Sequence, residues 1–165
     1  MIISADTLRT HLAYTTWATN RLLAAASELT PEELARDFGT ADKCVVGTLA
    51  HVFAADRIWM SRVQGRPPVK FITPEDRDLA VLRRDWPVVL AEWKQWAAGL
   101  TDDSAPTVIS FQDTKGNSYS SPLWQIVLHV VNHGTHHRGQ VSGFLRALGK
   151  VPPPLDLIAY YRELV

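Results

Sequence analysis

The chain has a single cysteine, Cys44, among 165 residues, so no internal disulfide can staple it, which matches a reducing, cytoplasmic setting. It has no surplus charge of either sign: 17 basic and 17 acidic residues cancel to a formal zero. Broad binding to nucleic acid or to an anionic membrane surface needs a cationic field, so neither partner is expected. No apolar run approaches the ~20 residues of a membrane span. The best stretch, LWQIVLHVV, is short and interrupted by His129. The first residues, MIISADTLRTHLAY, lack the basic n-region and apolar h-region of a secretory signal.

Several chemical signatures are missing as well. There is no Cys-x-x-Cys, no phosphate-binding glycine loop and no Gly-x-Ser-x-Gly elbow. His-Glu-x-x-His is also absent, because Gly134 follows His133 and Val130 follows His129. Dithiol redox, nucleotide-loop, serine-hydrolase and zincin chemistries therefore have no support. What remains is 46% hydrophobic and 21% charged, a balance that lets a chain of this length hide roughly 70% of its unfolded surface in one core. The expectation is one domain, residues 1–165, acting on a small molecule.

Apolar periodicity predicts a first helix over Ala5 to Ala26, with Leu8, Leu12, Leu22, Leu23 and Ala26 on its stripe. Thr30-Pro31-Glu32-Glu33 carries a cap, a first-position proline and a capping-box glutamate, enough for a short turn of helix. A second long helix is expected over Asp42 to Val63, ended by Gly65-Arg66-Pro67-Pro68. Thr73-Pro74-Glu75-Asp76 repeats the cap-plus-proline pattern and opens a third, running to Leu100 with a kink near Pro87. Residues 106–120 change character around Asp113-Thr114-Lys115-Gly116-Asn117, a β-hairpin pattern. Ser121-Pro122 is read as the cap and first position of a fourth long helix that runs to Leu148. After Pro152-Pro153-Pro154, Leu155 to Leu164 reads as a short closing helix. The fold expected is all-α: a four-helix bundle with a small hairpin before the last long helix. Bundles of this kind build ligand and metal sites from side chains on facing helices.

Four of the six histidines lie between His129 and His137. His129, His133 and His137 are spaced by four, a step of about 40° and about 6 Å, so either adjacent pair can chelate one ion. The outer two are ~12 Å apart along the axis and cannot easily share one. His136 points ~100° away from His137. A metal needs a third ligand from elsewhere, and His51 on the second helix is the natural candidate. Gly47, Ala54 and Ala55 share its stripe and leave room beside its imidazole. Asp56 lies ~140° round the helix from His51, poorly placed for the same ion but able to meet a neighbouring helix. Cys44 is about two turns from His51 and is not counted as a ligand. His11 and the tryptophans are read as structural. Gly139 and Gly143 are read as sites of close helix approach, and Arg138 as a packing residue that hydrogen-bonds to a carboxylate.

The segment His129-Val-Val-Asn-His133-Gly-Thr-His-His137-Arg138-Gly139-Gln140, taken with Leu49-Ala-His51-Val-Phe-Ala-Ala-Asp-Arg-Ile-Trp59 and Tyr14-Thr-Thr-Trp17-Ala-Thr-Asn20, resembles the DinB-like family. That family is named for DNA-damage-inducible proteins and is distinct from the polymerase that shares the name. The resemblance implies a four-helix bundle, often a homodimer, that holds a divalent metal with one histidine from the second long helix and two from the last. On this chain those positions are His51, His133 and His137, which selects the later of the two possible pairs. His129 then becomes a neighbour of the site and the first candidate for a catalytic proton carrier, with Asp56 the second. The resemblance also extends to bacillithiol S-transferases and mycothiol-dependent maleylpyruvate isomerase. It therefore implies a metal, zinc or nickel foremost, that lowers the pKa of a low-molecular-weight thiol and makes it a thiolate nucleophile. Hydrolysis by a metal-activated water is the companion expectation. A non-catalytic metal- or ligand-binding stress-response protein is the alternative.

Overall fold

A computed structural model describes residues 3–165. Helix α1 spans Ala5–Ala26, capped by Ser4, whose hydroxyl accepts from the Thr7 N–H. The short α2, Pro31–Ala35, carries the Thr30/Glu33 capping box in full. Helix α3 covers Val45–Val63, three residues shorter at its start than the periodicity suggests. Lys43 adopts a left-handed φ of 66°, and the Phe38 N–H bonds the Lys43 carbonyl at 2.7 Å. The chain is therefore still turning at 42–44, and the sole cysteine acts as the N-cap, its Sγ accepting from the Gly47 N–H at 3.4 Å.

The third expected helix is divided. Pro74–Arg77 is one 3-10 turn, after which Asp78 caps α4, Leu79–Ala98. Extended backbone at Asp78 separates the two, so the Thr73 cap serves only its own turn, and α4 itself runs through Pro87. Strands β1, Val108–Gln112, and β2, Ser118–Pro122, pair antiparallel with Phe111 opposite Tyr119. Ser121 and Pro122 thus belong to the strand and do not cap a helix by their side chains. Helix α5, Leu123–Ala147, starts where the loop before β1 takes its first amides, with Leu123 N–H on the Thr107 carbonyl and Trp124 N–H on that of Ala105. Helix α6, Leu157–Glu163, is fixed to α1 by Glu163, which accepts from the Trp17 indole at 2.8 Å and pairs with Arg21.

Around the bundle the principal contacts join α1 to α5, α5 to α3, α3 to α4 and α4 to α1. The core falls into two apolar clusters. One gathers Leu8, Leu12, Met60, Trp93, Val127 and Val130; the other gathers Leu22, Leu49, Phe53, Trp86, Val141 and Leu145. Their membership shows that α1 and α5 run one way and α3 and α4 the other. The chain must therefore travel back along α3 between residues 64 and 78. Ser61 and Arg57 hold that return strap: the Ser61 hydroxyl donates to the Pro67 carbonyl, and Arg57 donates to the Lys70 and Phe71 carbonyls and pairs with Asp76 at 2.8 Å.

A polar layer separates the clusters. It contains Thr15 and Thr19 from α1, Asp56 from α3, the indole N–H groups of Trp86 and Trp93 from α4, and Arg138 from α5. Gly134 makes room beside it: a Cβ there would lie 2.6 Å from Arg138 Nη1, so the guanidinium would have to shift. Gly139 and Gly143 bring nothing close: a Cβ at either would meet no atom within 4 Å, so neither serves helix approach within the chain. No helix among the described residues is long and apolar enough to cross a membrane.

Candidate metal centre

His133 and His137 project from successive turns of α5 toward α3, which supplies His51. The three half-buried imidazoles meet, each offering one ring nitrogen, with all three nitrogens within 4.8 Å of one another. His51 Nε2 and His133 Nε2 are 3.0 Å apart, and the His137 ring centroid lies 4.4 Å from that of His51 and 4.5 Å from that of His133. Two imidazole nitrogens bound to one ion at about 2.0–2.1 Å lie about 2.8–3.4 Å apart for bond angles of about 90–109°. The His51–His133 pair already has that separation.

The outward nitrogens point the lone pairs inward. Gln140, one turn beyond His137, faces its Nδ1, with Oε1 at 2.8 Å. An N–H donated there leaves Nε2 free to ligate. Asp42 Oδ1 lies 3.6 Å from His51 Nδ1 and favours the same tautomer in that ring. Such partners fix ring orientation and raise ligand basicity. Burial is the main cause that holds His51 below the ordinary imidazole range; Asp42 opposes it and His137 adds to it. His133 is pushed down to about 3, by burial first and then by its histidine neighbours. Both rings are therefore neutral near pH 7, the form that binds a metal. The donor set, tautomers and spacing fit a divalent transition ion, as three imidazoles do for several such metals.

His129 stands one turn before His133, ring centroids 5.7 Å apart, with its edge on Trp59 at 5.1 Å. Burial, then the Arg62 charge, keeps it below the usual imidazole range, so it can accept a proton at neutral pH. Asp56 is not gathered into the triad. It is 1% exposed, accepts from the Trp86 indole at 2.8 Å, and burial pushes its carboxyl up to about 7 against the Trp86 bond and Arg138. Arg138 donates to Thr135 Oγ1 at 3.1 Å and lies over the Tyr14 ring rather than gripping a carboxylate. His136 is exposed, beside His137 but outside the triad.

Asp42 and Gln140 complete the site unannounced by the sequence reading. Gln140 is legible in principle, since a polar side chain three residues past a ligand lies on the same helix face. Asp42 reaches His51 only because the 42–44 turn folds onto α3. The turn occupies the space at Gly47 that seemed open for an ion: a Cβ there would fall 2.2 Å from the Asp42 carbonyl oxygen. Replacing Gln140 with leucine or Asp42 with asparagine should weaken zinc binding by about 10–100-fold while leaving the thermal midpoint within about 2 °C. A competition titration against a chromogenic chelator measures the first and calorimetry the second.

Comparison with known proteins adds the lineage. Over 153 residues the chain is 21% identical to Protein DinB of Bacillus subtilis (strain 168), covering 89% of each sequence. A crystal structure of a DinB-like protein from Bacillus cereus ATCC 10987 superposes with a TM-score of 0.68 at 19% identity, covering 93% of this chain and 99% of that one. The sequence profile of the DinB family matches residues 1–163. With that match spanning nearly its whole length, the chain belongs to the DinB family.

Proposed function

We propose that the protein is a metal-dependent enzyme acting on a small electrophilic molecule, with His51, His133 and His137 as the ligands of a zinc or nickel ion. The observation that carries this reading is the donor count. Among the described residues the cluster holds three imidazoles and no fourth His, Cys, Asp or Glu, and three protein ligands with a free position characterise catalytic rather than structural sites. When bound, such an ion supplies Lewis acidity that lowers the pKa of a thiol or water in the remaining position.

The chain's own groups supply the rest. Gln140 accepts at the outer nitrogen of His137, and the Asp42 carboxylate lies beside that of His51. His129, neutral and exposed one turn away, takes the proton released when the nucleophile is made. The family resemblance favours a low-molecular-weight thiol as nucleophile, hence S-transfer. Water in its place gives hydrolysis. Purified protein reconstituted with zinc or nickel should conjugate a thiol to a model electrophile or hydrolyse an ester panel. Dialysis against a chelator should abolish either activity and metal return should restore it. His129→Gln should lower kcat about 10²-fold, in line with loss of a proton carrier, with metal content unchanged. Turnover that persists after complete metal removal contradicts the proposal. A tightly held metal without turnover favours the stress-protein alternative.

A further inference from the structure

The strap that returns along α3 makes a second concave surface next to the triad. Between the end of α3, residues 65–71 and the hairpin lies a pocket of about 520 Å³, within the size range of small-molecule sites. Phe71 lines it and also meets the His51 ring edge-to-face, centroids 5.4 Å apart. On the hairpin side an aromatic path runs from His133 through His129 to Trp59 and then Phe111, the last two rings 4.9 Å apart.

Charge in this pocket is uneven. Arg62, Arg66 and Lys70 line it against one acid, Asp113. Arg66 is satisfied by Glu92 at 3.1 Å. Asp113 accepts from the Lys115 and Asn117 amides and the Asn117 side chain; it favours the charge on Arg62 from a distance. Among the described residues neither Arg62 nor Lys70 has a carboxylate within 4.0 Å. Arg62 is nevertheless held in place. Its guanidinium lies 4.5 Å from the centroid of Trp59 and 5.0 Å from that of Phe111 and donates to the Gln112 carbonyl. A cation kept in position on two aromatic faces without an acidic partner is preorganised for an anionic ligand.

We infer that this pocket binds the carboxylate of a small substrate with an aryl or apolar body, so that the reacting end of the molecule lies across Phe71 at the histidine triad. Arg62 is the specificity determinant and Lys70 its weaker companion. The inference rests on the metal reading for what happens at the triad, but the pocket can be tested without it.

Benzoate and benzamide, identical in shape and different in charge, are titrated into the full-length protein with and without zinc. The Trp59 indole N–H signal is followed by NMR. Benzoate should bind at least tenfold tighter than benzamide. Arg62→Met should reduce that preference to within twofold, and Lys70→Met should reduce it about threefold. Lys70→Met guards against misfolding of the first variant, since only its backbone carbonyl is engaged in the strap. Equal binding of the two probes, or a preference untouched in both variants, overturns the inference. With zinc present, 3-mercaptobenzoate should likewise exceed 3-mercaptobenzamide by tenfold. Failure of zinc to bind while the benzoate preference persists would remove the metal reading and leave the anion pocket standing.

Discussion

Replacing any one of His51, His133 and His137 with alanine is expected to lower zinc affinity by at least about 100-fold, beyond the 10–100-fold typical of losing an outer partner. His136→Ala should change it by less than about threefold. Each of the three contributes a nitrogen to one cluster, and two remaining imidazoles leave a divalent ion short of its usual three or four protein ligands. His136, although its ring centroid is 4.9 Å from that of His137, is exposed and outside that cluster. Because the triad side chains are only half-buried, the alanine variants should keep their fold, and metal content per folded chain is a clean readout. Equal metal retention across all four variants would defeat the assignment.

The second large effect lies below the site, in the polar layer. Asp56→Leu is expected to destabilise the protein by about 1–3 kcal/mol, the range for leaving a buried donor, here the Trp86 indole N–H, without its acceptor. At the ratio for this chain length that lowers the thermal midpoint by about 2–12 °C. Arg138→Met should cost less. Removing the acid leaves a guanidinium, 2% exposed, that cannot shed its proton, and it strands the Trp86 indole N–H. Removing the arginine leaves a carboxyl that escapes by taking a proton, since burial already pushes it up to about 7. The double variant should therefore be more stable than Asp56→Leu alone. Thermal denaturation of the four proteins closes the cycle, and additivity of the two single effects would show that the residues are not coupled.

The same carboxyl makes a pH signature with a definite sign. Its folded pKa is about 7 against 3.8 for the free group. The folded state therefore binds more protons between those values, and the carboxyl's contribution to stability falls as pH rises from about 4 to about 7. His133, pushed down to about 3, acts in the opposite direction over much of that interval, but it is common to wild type and variant and cancels in their difference. Asp56→Asn, measured against wild type by denaturant titration, should therefore gain relative stability with rising pH, by up to about 4 kcal/mol, and level off above pH 7. A pH-independent difference would show that Asp56 is ionised throughout.

Much of the architecture was legible because local signals and burial agree. The stripe from Leu8 to Ala26, the Thr30/Glu33 box and the alternating hairpin each specify an element by spacing alone, and the three elements form where expected. The histidine ligands were legible for a similar reason: a four-residue spacing on a helix fixes relative position without knowledge of the rest of the fold. What the sequence concealed depends on contacts between distant segments. Nothing local shows that residues 64–78 run back along α3, so neither the Phe71 contact with His51 nor the pocket beside it could be read. Asp42 lies outside its predicted helix because Lys43 takes a left-handed turn. Gly47 is small because a backbone carbonyl fills its place, a reason that composition cannot distinguish from room for an ion. Asp56 is expected to be able to meet a neighbouring helix, and it does, but the two α4 indoles that bury it could not be aligned with it from sequence spacing.

The central claim is a metal held by three imidazoles with a coordination position left for the reacting molecule. X-ray absorption at the zinc edge of the reconstituted protein, before and after adding a small thiol, tests it most directly. The predicted spectrum before addition shows three imidazole nitrogens at about 2.0–2.1 Å and an exchangeable oxygen ligand, and after addition one sulfur appears at about 2.3 Å. A shell of four protein ligands that the thiol leaves unchanged, or a zinc shell without three imidazoles, would contradict it.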